Sequence, residues 1–353
     1  MNAFFEDLKI VELASVLAGP SVGMFFAELG ANVIKIENKK TGGDVTRKWK
    51  LPQEEKDKND SAYFNCVNWG KKSLLADLSN EKDKIASLKI IAEADVLITN
   101  FKSGSAQKLG LDYDSLKAIN SRLIYANLTA YGENDDTPGF DVLLQAETGF
   151  MYMNGEPNRP AVRMPVALID LMAGHQLKEA ILIALLNRKE TGKGSFLSVS
   201  LAKSAIASLA NQASNWLNVN HMPEKMGTQH PNIAPYGDVF QTKDGKEIIL
   251  AIGTEKHFQN LCGILQILEM GKEEKFNTNA QRVKHRTELI EVLKNAFVQF
   301  NQAELLTAFK QQKVPAGIIR NMAEVFEMPI AKEMILEDEK GNKCVKSVAF
   351  DFL

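Results

Sequence analysis

The sequence predicts an α/β fold with two domains, a large one holding a mainly parallel sheet and a smaller one of the α+β type. Apolar runs with strand character alternate with helical patterns as far as residue 217, which is typical of a parallel, Rossmann-like sheet. Residues 218–238 are then rich in Pro, Asn, His and Gly, as in a linker. The length of 353 residues also suits two domains.

The alternation begins with a short βαβ unit. LKIVEL at 8–13 predicts a strand, Pro20 suits the first position of a helix, and Gly30 suits its end. NVIKIE at 32–37 predicts the next strand, so the two strands should be parallel with a right-handed crossover. Similar patterns predict strands at 73–78, 95–99, 122–130 and 195–200, and helices at 80–92, 112–119 and 171–188.

These patterns divide the chain into three parts. Residues 1–217 form the predicted large domain. Residues 218–325 contain the linker and a small α+β domain, which includes a hairpin with a KDGK turn. Residues 326–353 read as an extended tail that returns toward the large domain.

Composition excludes several classes of protein. The formal net charge is -2 and basic residues are scattered, which argues against a nucleic-acid partner. The three cysteines are far apart, which fits a reducing compartment better than a disulfide framework. No apolar run reaches the length of a membrane span, and the N-terminus does not read as a secretory signal. We therefore expect a cytoplasmic protein without a membrane partner.

Motif searches exclude the commonest enzyme signatures. The turn after the first strand reads AGP in place of a glycine-rich fingerprint, which makes an NAD-linked oxidoreductase a weak hypothesis. The chain has no P-loop, no H-E-x-x-H and no G-x-S-x-G. The five histidines show no ligand spacing, so we expect no metal site.

Asp170 stands where the apolar run AVRMPVALI meets a helix predicted at 171–188. Spacing alone favours an N-cap, because an aspartate oxygen accepts the free N–H groups of a first helical turn. A carboxylate there would also stay ionised beside the helix end and could attack an activated carbonyl. The two roles are compatible.

An ordered set of short segments resembles the class III CoA-transferase family, which includes acyl-CoA racemases. The resemblance covers nearly the whole chain, although the tail is shorter than in the family. The matching segments are SVLAGPSVGMFFAELGANVIKIE, GGDVTRKW, GKKSLLADL, ADVLITNFKSGSAQKLGLDY, RLIYANLTAYG, TGKGSFLSVSL, HPNIAPY and VPAGII.

The resemblance implies that Asp170 is the nucleophile. It would attack an acyl-CoA to give a mixed anhydride and then an aspartyl-CoA thioester, from which a carboxylic acid takes the CoA. CoA thioesters and small carboxylic acids are then the partners, with no metal or redox cofactor. The resemblance also implies an interlocked homodimer, in which 230–236 of one chain would complete the pocket of the other.

The same resemblance assigns residues to CoA. The turn after the first strand would lie near the pantetheine arm and thioester, Asn100 and Phe101 would line the groove, and two lysines would contact phosphates. Without the resemblance, the lysines would be read as part of a solvated face. The residues of the turn and the two lysines are Ser15, Val16, Leu17, Ala18, Lys71 and Lys108.

Several residues of this chain differ from the motifs of the family, and these differences narrow the range of expected activities. Asn38 follows Glu37 where some members have an adenine-contacting Arg, Ser15 replaces a His of some relatives, and no glycine-rich shielding loop is found. Racemases carry a GHD-like motif, whereas this chain reads GFD at Phe140 and Asp141. Phe140 cannot move a proton, so transfer is favoured, while Asp141 would support the site or cap the helix that follows. A racemase or epimerase, and a CoA-binding protein without catalysis, stay as alternatives.

Overall fold

The computed structural model describes residues 4–351, which form two compact units. The first takes in 4–150, 163–222 and 329–351 of the described chain. The second takes in Met151–Val162 and Pro223–Met328. The short segment Met151–Val162 thus groups with the second unit, although the sequence placed it in the large domain.

The first unit is built on a six-stranded parallel sheet with the strand order β3-β2-β1-β4-β5-β6. This is the order of a doubly wound, Rossmann-like sheet, and the predicted α/β fold class is confirmed. Its strands are β1 Lys9–Glu12, β2 Asn32–Asn38, β3 Lys72–Ala76, β4 Val96–Thr99, β5 Ile124–Thr129 and β6 Ser195–Ser200.

Alternate strand residues enter two separate cores, because successive side chains of a strand point to opposite faces. Ile10 packs on one face with Val22 and Leu177, and Val11 packs on the other with Ile91. The helices in this part of the chain are α1 Ala18–Glu28, α2 Ala62–Asn65, α3 Glu81–Ala92, α4 Ser105–Leu109, α5 Tyr113–Ile119, α6 Asp141–Glu147, α7 Phe150–Met153, which falls mostly in the second unit, α8 Leu168–Thr191, α9 Leu201–Ala207 and α10 Ala210–Val219.

Helix α1 begins earlier than its proline indicated. Pro20 is the third helical residue and not the first, which the fold tolerates because the first N–H groups of a helix lack an intrahelical acceptor. Gly30 follows the helix with φ of 97°, a left-handed conformation that suits glycine.

The second unit contains a three-stranded antiparallel sheet packed against helices. Its core includes Phe240 stacked on Phe297, with ring centroids 4.6 Å apart. Its elements are β7 Tyr236–Gln241, β8 Glu247–Ala251, α11 Glu255–Ile264, α12 Leu268–Lys272, α13 Asn279–Lys284, α14 Arg286–Phe297, α15 Gln302–Gln311, β9 Ala316–Ile318 and α16 Met322–Glu327.

The C-terminal residues belong to the first unit, where they form α17 Pro329–Glu333 and the hairpin β10 Ile335–Glu337 and β11 Lys343–Val345. The indole N–H of Trp69 donates to the carbonyl of Glu337, and the buried carboxylate of Glu28 accepts the Ser347 and Val348 N–H groups. Within residues 4–351, no helix combines the length and apolar character that a bilayer span requires.

Candidate active site

A cleft of about 560 Å³ opens at the carboxyl ends of β1, β4 and β5. The strand order reverses between β1 and β4, and open α/β sheets bind ligands at such a switch point. Three segments supply much of the wall, namely 15–18 after β1, 100–104 after β4, and 135–141 beyond β5. Asp170 lines the same cleft.

The turn after β1 is fixed by a side chain from the neighbouring strand end. Asn100 accepts the Ser15 N–H at 3.2 Å and donates to the Ser15 carbonyl at 3.0 Å. The structure therefore places all six residues that the resemblance assigned to the CoA groove along one cleft. These are Ser15, Val16, Leu17, Ala18, Asn100 and Phe101.

Asp170 is not the N-cap of its helix, so that prediction is wrong. Helix α8 begins at Leu168, so Asp170 is its third residue. Ala167 occupies the N-cap position and makes no side-chain capping hydrogen bond. The Asp170 side chain is largely buried, with 9% of the residue exposed. Among the described residues, no hydrogen-bond donor or cation is paired with its carboxylate.

The side chain of Asp141, a residue of α6, supplies the capping hydrogen bond for α8 instead. Its Oδ1 accepts the Ile169 N–H at 2.8 Å, and its Oδ2 accepts the side-chain amide of Gln145 at 2.6 Å. Gln145 in turn accepts the Met164 N–H at 2.8 Å. Asp141 is the first residue of α6, whose N-cap is Phe140, so its predicted role as the cap of its own helix is wrong. An outside carboxylate at the helix start explains why α8 begins before Asp170.

The pKa of Asp170 is raised from 3.8 to about 7, because burial disfavours its charge and the nearby Asp141 carboxylate repels it. The expectation that the helix end keeps Asp170 ionised is therefore wrong. Desolvation and a like charge outweigh the helix dipole here. Near neutral pH the carboxylate is partly protonated, and its charged form lacks hydrogen bonds that would reduce its nucleophilicity.

Phe140 lines the cleft beside Asp141 and is 59% exposed. Its ring offers no proton donor or acceptor. At this position the cleft therefore holds an apolar group, which cannot act as the base that removal of a substrate proton needs.

The two predicted phosphate-binding lysines are not among the residues that line the cleft. Lys71 is buried, and its ammonium contacts Glu12 Oε2 at 2.8 Å, the Pro20 carbonyl at 2.8 Å and Asn68 Oδ1 at 3.0 Å. Burial lowers its pKa to about 8 against the opposing attraction of Glu12. Lys108 is an exposed residue of α4 that does not line the cleft. Both lysines are thus missing from the cleft lining, which includes the other six predicted CoA-binding residues.

Charge in the cleft is mainly negative, which the sequence reading missed. Seven lining residues are acidic and one, Lys102, is basic. Glu133 is held there by Asn127, whose amide donates to it at 2.9 Å, and by Ser198. Lys102 directly follows Asn100 and Phe101, and this adjacency is the signal that would have found it. Across residues 4–351, no group of three or more His, Cys, Asp or Glu side chains is arranged to hold a metal ion.

A doubly wound sheet with a buried carboxylate at its switch-point cleft is suited to an enzyme that binds a nucleotide-containing substrate and acts by covalent catalysis. The chain belongs to CoA-transferase family III, whose profile matches residues 5–351. It is a family III CoA-transferase, and the resemblance found in the sequence is confirmed.

Curated relatives are between 32% and 38% identical to this chain over the aligned residues. A succinate–glutarate CoA-transferase of Agrobacterium fabrum is 38% identical over 92% of this chain and 82% of its own. The human succinyl-CoA:glutarate CoA-transferase is 35% identical over 92% of this chain and 73% of its own. An acetyl-CoA:oxalate CoA-transferase of Acetobacter aceti is 32% identical over 94% and 85%, respectively.

Solved structures show the same architecture. A CaiB/BaiF family protein from Brucella suis is 39% identical, with a TM-score of 0.89 over 99% of this chain and 93% of that one. The protein Rv3272 from Mycobacterium tuberculosis is 28% identical, with a TM-score of 0.85 over the same shares of the two chains.

Proposed function

We propose that this transferase moves CoA from an acyl-CoA to a carboxylic acid through covalent intermediates on Asp170. The Asp170 carboxylate attacks the thioester carbon, the C–S bond breaks, and CoA thiolate leaves behind a mixed anhydride. The thiolate then attacks the Asp170 carboxyl carbon, which releases the donor acid and gives an aspartyl-CoA thioester. The acceptor carboxylate reverses the two steps, and Asp170 is regenerated without net proton transfer. No metal or redox cofactor takes part.

One observation carries this proposal: the Asp170 carboxylate lines the switch-point cleft, is nine-tenths buried, and has no paired donor or cation among the described residues. A structural carboxylate at such burial is normally matched by hydrogen bonds or a cation. An unmatched one destabilises its own charged form, which favours attack on an acyl carbon.

Small dicarboxylic acids are the proposed substrates, with succinyl-CoA as donor and glutarate as acceptor. The support is the naming of the two succinate- and glutarate-specific relatives above. The cytoplasm is the proposed location, which fits the free thiols of Cys66, Cys262 and Cys344.

A homodimer is also part of the proposal. Three apolar side chains of α10 stay largely exposed in the single chain: Trp216 at 45%, Leu217 at 78% and Val219 at 70%. Neighbouring exposed apolar residues mark interaction surfaces. Light scattering on the purified protein measures its mass, and a mass of about 39 kDa would contradict a dimer.

The covalent route is tested with glutarate labelled by ¹⁸O in both carboxylates. The anhydride route leaves one oxygen of the acceptor on Asp170, so a single turnover should add one ¹⁸O to the peptide that contains it. Direct attack of glutarate on succinyl-CoA would leave that peptide unlabelled and would overturn the proposal. Asp170→Ala should abolish transfer and any label at the site, as measured by mass spectrometry of products and peptides.

A further inference from the structure

Val16 has a backbone conformation that its side chain disfavours. Its φ is 75°, in the left-handed region, where a β-branched residue is a genuine outlier. Such a conformation is strained and persists only where the surroundings impose it. Val16 lies in the cleft wall, so the strain is stored next to the site.

Asp44 supplies one of the contacts that impose it. The Val16 N–H donates to Asp44 Oδ2 at 3.3 Å, although Asp44 belongs to a different loop, beyond β2. The Asp44 side chain is 1% exposed. Its Oδ1 accepts the Thr46 N–H at 3.0 Å and the Thr46 hydroxyl at 2.8 Å, which fixes the carboxylate plane.

Lys35 ties Asp44 to the other side of the same turn. Its ammonium lies 3.1 Å from Asp44 Oδ2 and donates to the Ala14 carbonyl at 2.7 Å. It also donates to Glu12 Oε1 at 2.8 Å, and all three ionised side chains are buried. Buried charges of this kind hold their geometry firmly, because moving one partner leaves the others unpaired.

Side chains therefore hydrogen-bond to four successive backbone groups of the turn. Lys35 donates to the Ala14 carbonyl, and Asp44 accepts the Val16 N–H. Between them, Asn100 bonds both the N–H and the carbonyl of Ser15. Leu17, the N-cap of α1, and Ala18, its first residue, also line the cleft, and their N–H groups have no intrahelical acceptor.

The turn also lies against the helix that carries Asp170. A Cβ on Gly174, one turn along α8, would lie 3.3 Å from the Ala18 carbonyl and 2.5 Å from Ser21 Oγ. The backbone of the turn and that of α8 are thus packed in contact, so a shift of the turn changes where a bound thioester lies relative to Asp170.

We propose that Asp44 is a positioning residue for the transfer reaction, which holds Val16 in its left-handed conformation and so sets the thioester against Asp170. This inference rests on the proposed function for its kinetic effect. Asp44 touches no reacting atom. Its contribution is the alignment of the turn.

The test is a double-mutant cycle between Asp44→Asn and Val16→Gly, measured as kcat and KM for CoA transfer. A misplacement of about 1 Å costs on the order of 100-fold in rate, so Asp44→Asn should lower kcat by about that factor with a smaller change in KM. Glycine adopts a positive φ without strain, so in the Val16→Gly background the same change should cost about tenfold or less. An equal loss in both backgrounds, or an unchanged kcat, would overturn the inference.

Asp60→Asn is the matched control. Asp60, whose side chain is 18% exposed, is likewise an aspartate paired with a cation, Arg47, but it does not contact the turn. It should keep the wild-type kcat, and an equal loss there would mean that Asp44 acts only through general stability.

Hydrogen–deuterium exchange of the peptide around Val16 separates this inference from the proposed function. Asp44→Asn should speed exchange there in the folded protein whether or not the wild type transfers CoA. Unchanged exchange would refute the inference that Asp44 holds Val16 in place. If the wild type lacks transferase activity but Asp44→Asn still speeds exchange of this peptide, only the proposed function is refuted.

Discussion

The carboxylate of Asp141 caps the helix that carries Asp170, through a 2.8 Å hydrogen bond from the Ile169 N–H. The same carboxylate, together with burial, raises the pKa of Asp170 to about 7. The Asp141 side chain therefore both fixes the backbone next to Asp170, the proposed nucleophile, and opposes the ionisation of Asp170. These two effects act in opposite directions on the rate near neutral pH.

The rate of CoA transfer should rise with pH through about 7, because in the proposed mechanism only ionised Asp170 attacks the thioester. Asp141→Asn removes the like charge and should move this acidic limb to lower pH. A pH profile of kcat/KM for both proteins checks the shift. A limb that stays in place would show that burial alone sets the pKa of Asp170.

Asp170 should lower the stability of the fold at neutral and alkaline pH. Its folded pKa lies above its unfolded value of 3.8, so the folded state binds the extra proton and stability falls as pH rises from about 4 to about 7. Asp170→Asn should then raise the free energy of unfolding at pH 8 by up to about 4 kcal/mol. The gain should vanish near pH 4. Urea unfolding at both pH values measures it, and a pH-independent difference would contradict this account.

The wild type should not exchange the α-protons of its acyl group with solvent. Phe140 stands where α-proton removal would need a base, and its ring cannot accept a proton. Incubation of a 2-methylacyl-CoA in D₂O without an acceptor acid, followed by mass spectrometry, should show no deuterium. Deuterium uptake that persists in Phe140→Ala would favour the racemase alternative.

Lys71 should contribute to stability and not to CoA affinity. Its removal leaves the buried carboxylate of Glu12 with Lys35 as its remaining cation, so Lys71→Met should cost about 3 kcal/mol of unfolding free energy. Lys108→Met, at an exposed position, should change stability by less than about 0.5 kcal/mol. Calorimetric titration with CoA and urea unfolding check both. Weaker CoA binding by Lys71→Met at unchanged stability would restore the role expected from the sequence.

Periodicity alone was enough to predict the parallel sheet, because strand and helix patterns alternate clearly from Lys9 to Ser200. The ordered motifs predicted eight CoA-binding residues, and six of these line one cleft in the structure. The cap on α8 could not be predicted, since it comes from Asp141, 28 residues earlier in the chain. The burial of Lys71 could not be predicted for a similar reason: a lysine in GKKS reads as exposed until the fold brings Glu12 to it.

The second unit interrupts the first along the chain, and this order has a consequence for synthesis on the ribosome. The buried carboxylate of Glu28 is matched by N–H groups of Ser347 and Val348, which emerge 319 and 320 residues later. Until residue 348 leaves the exit tunnel, Glu28 of α1 lacks these two N–H donors, although the charge of Lys178 attracts its carboxylate. The first unit is therefore completed only after the whole second unit has been synthesised, and a chain cut before residue 347 should be less stable than the full one.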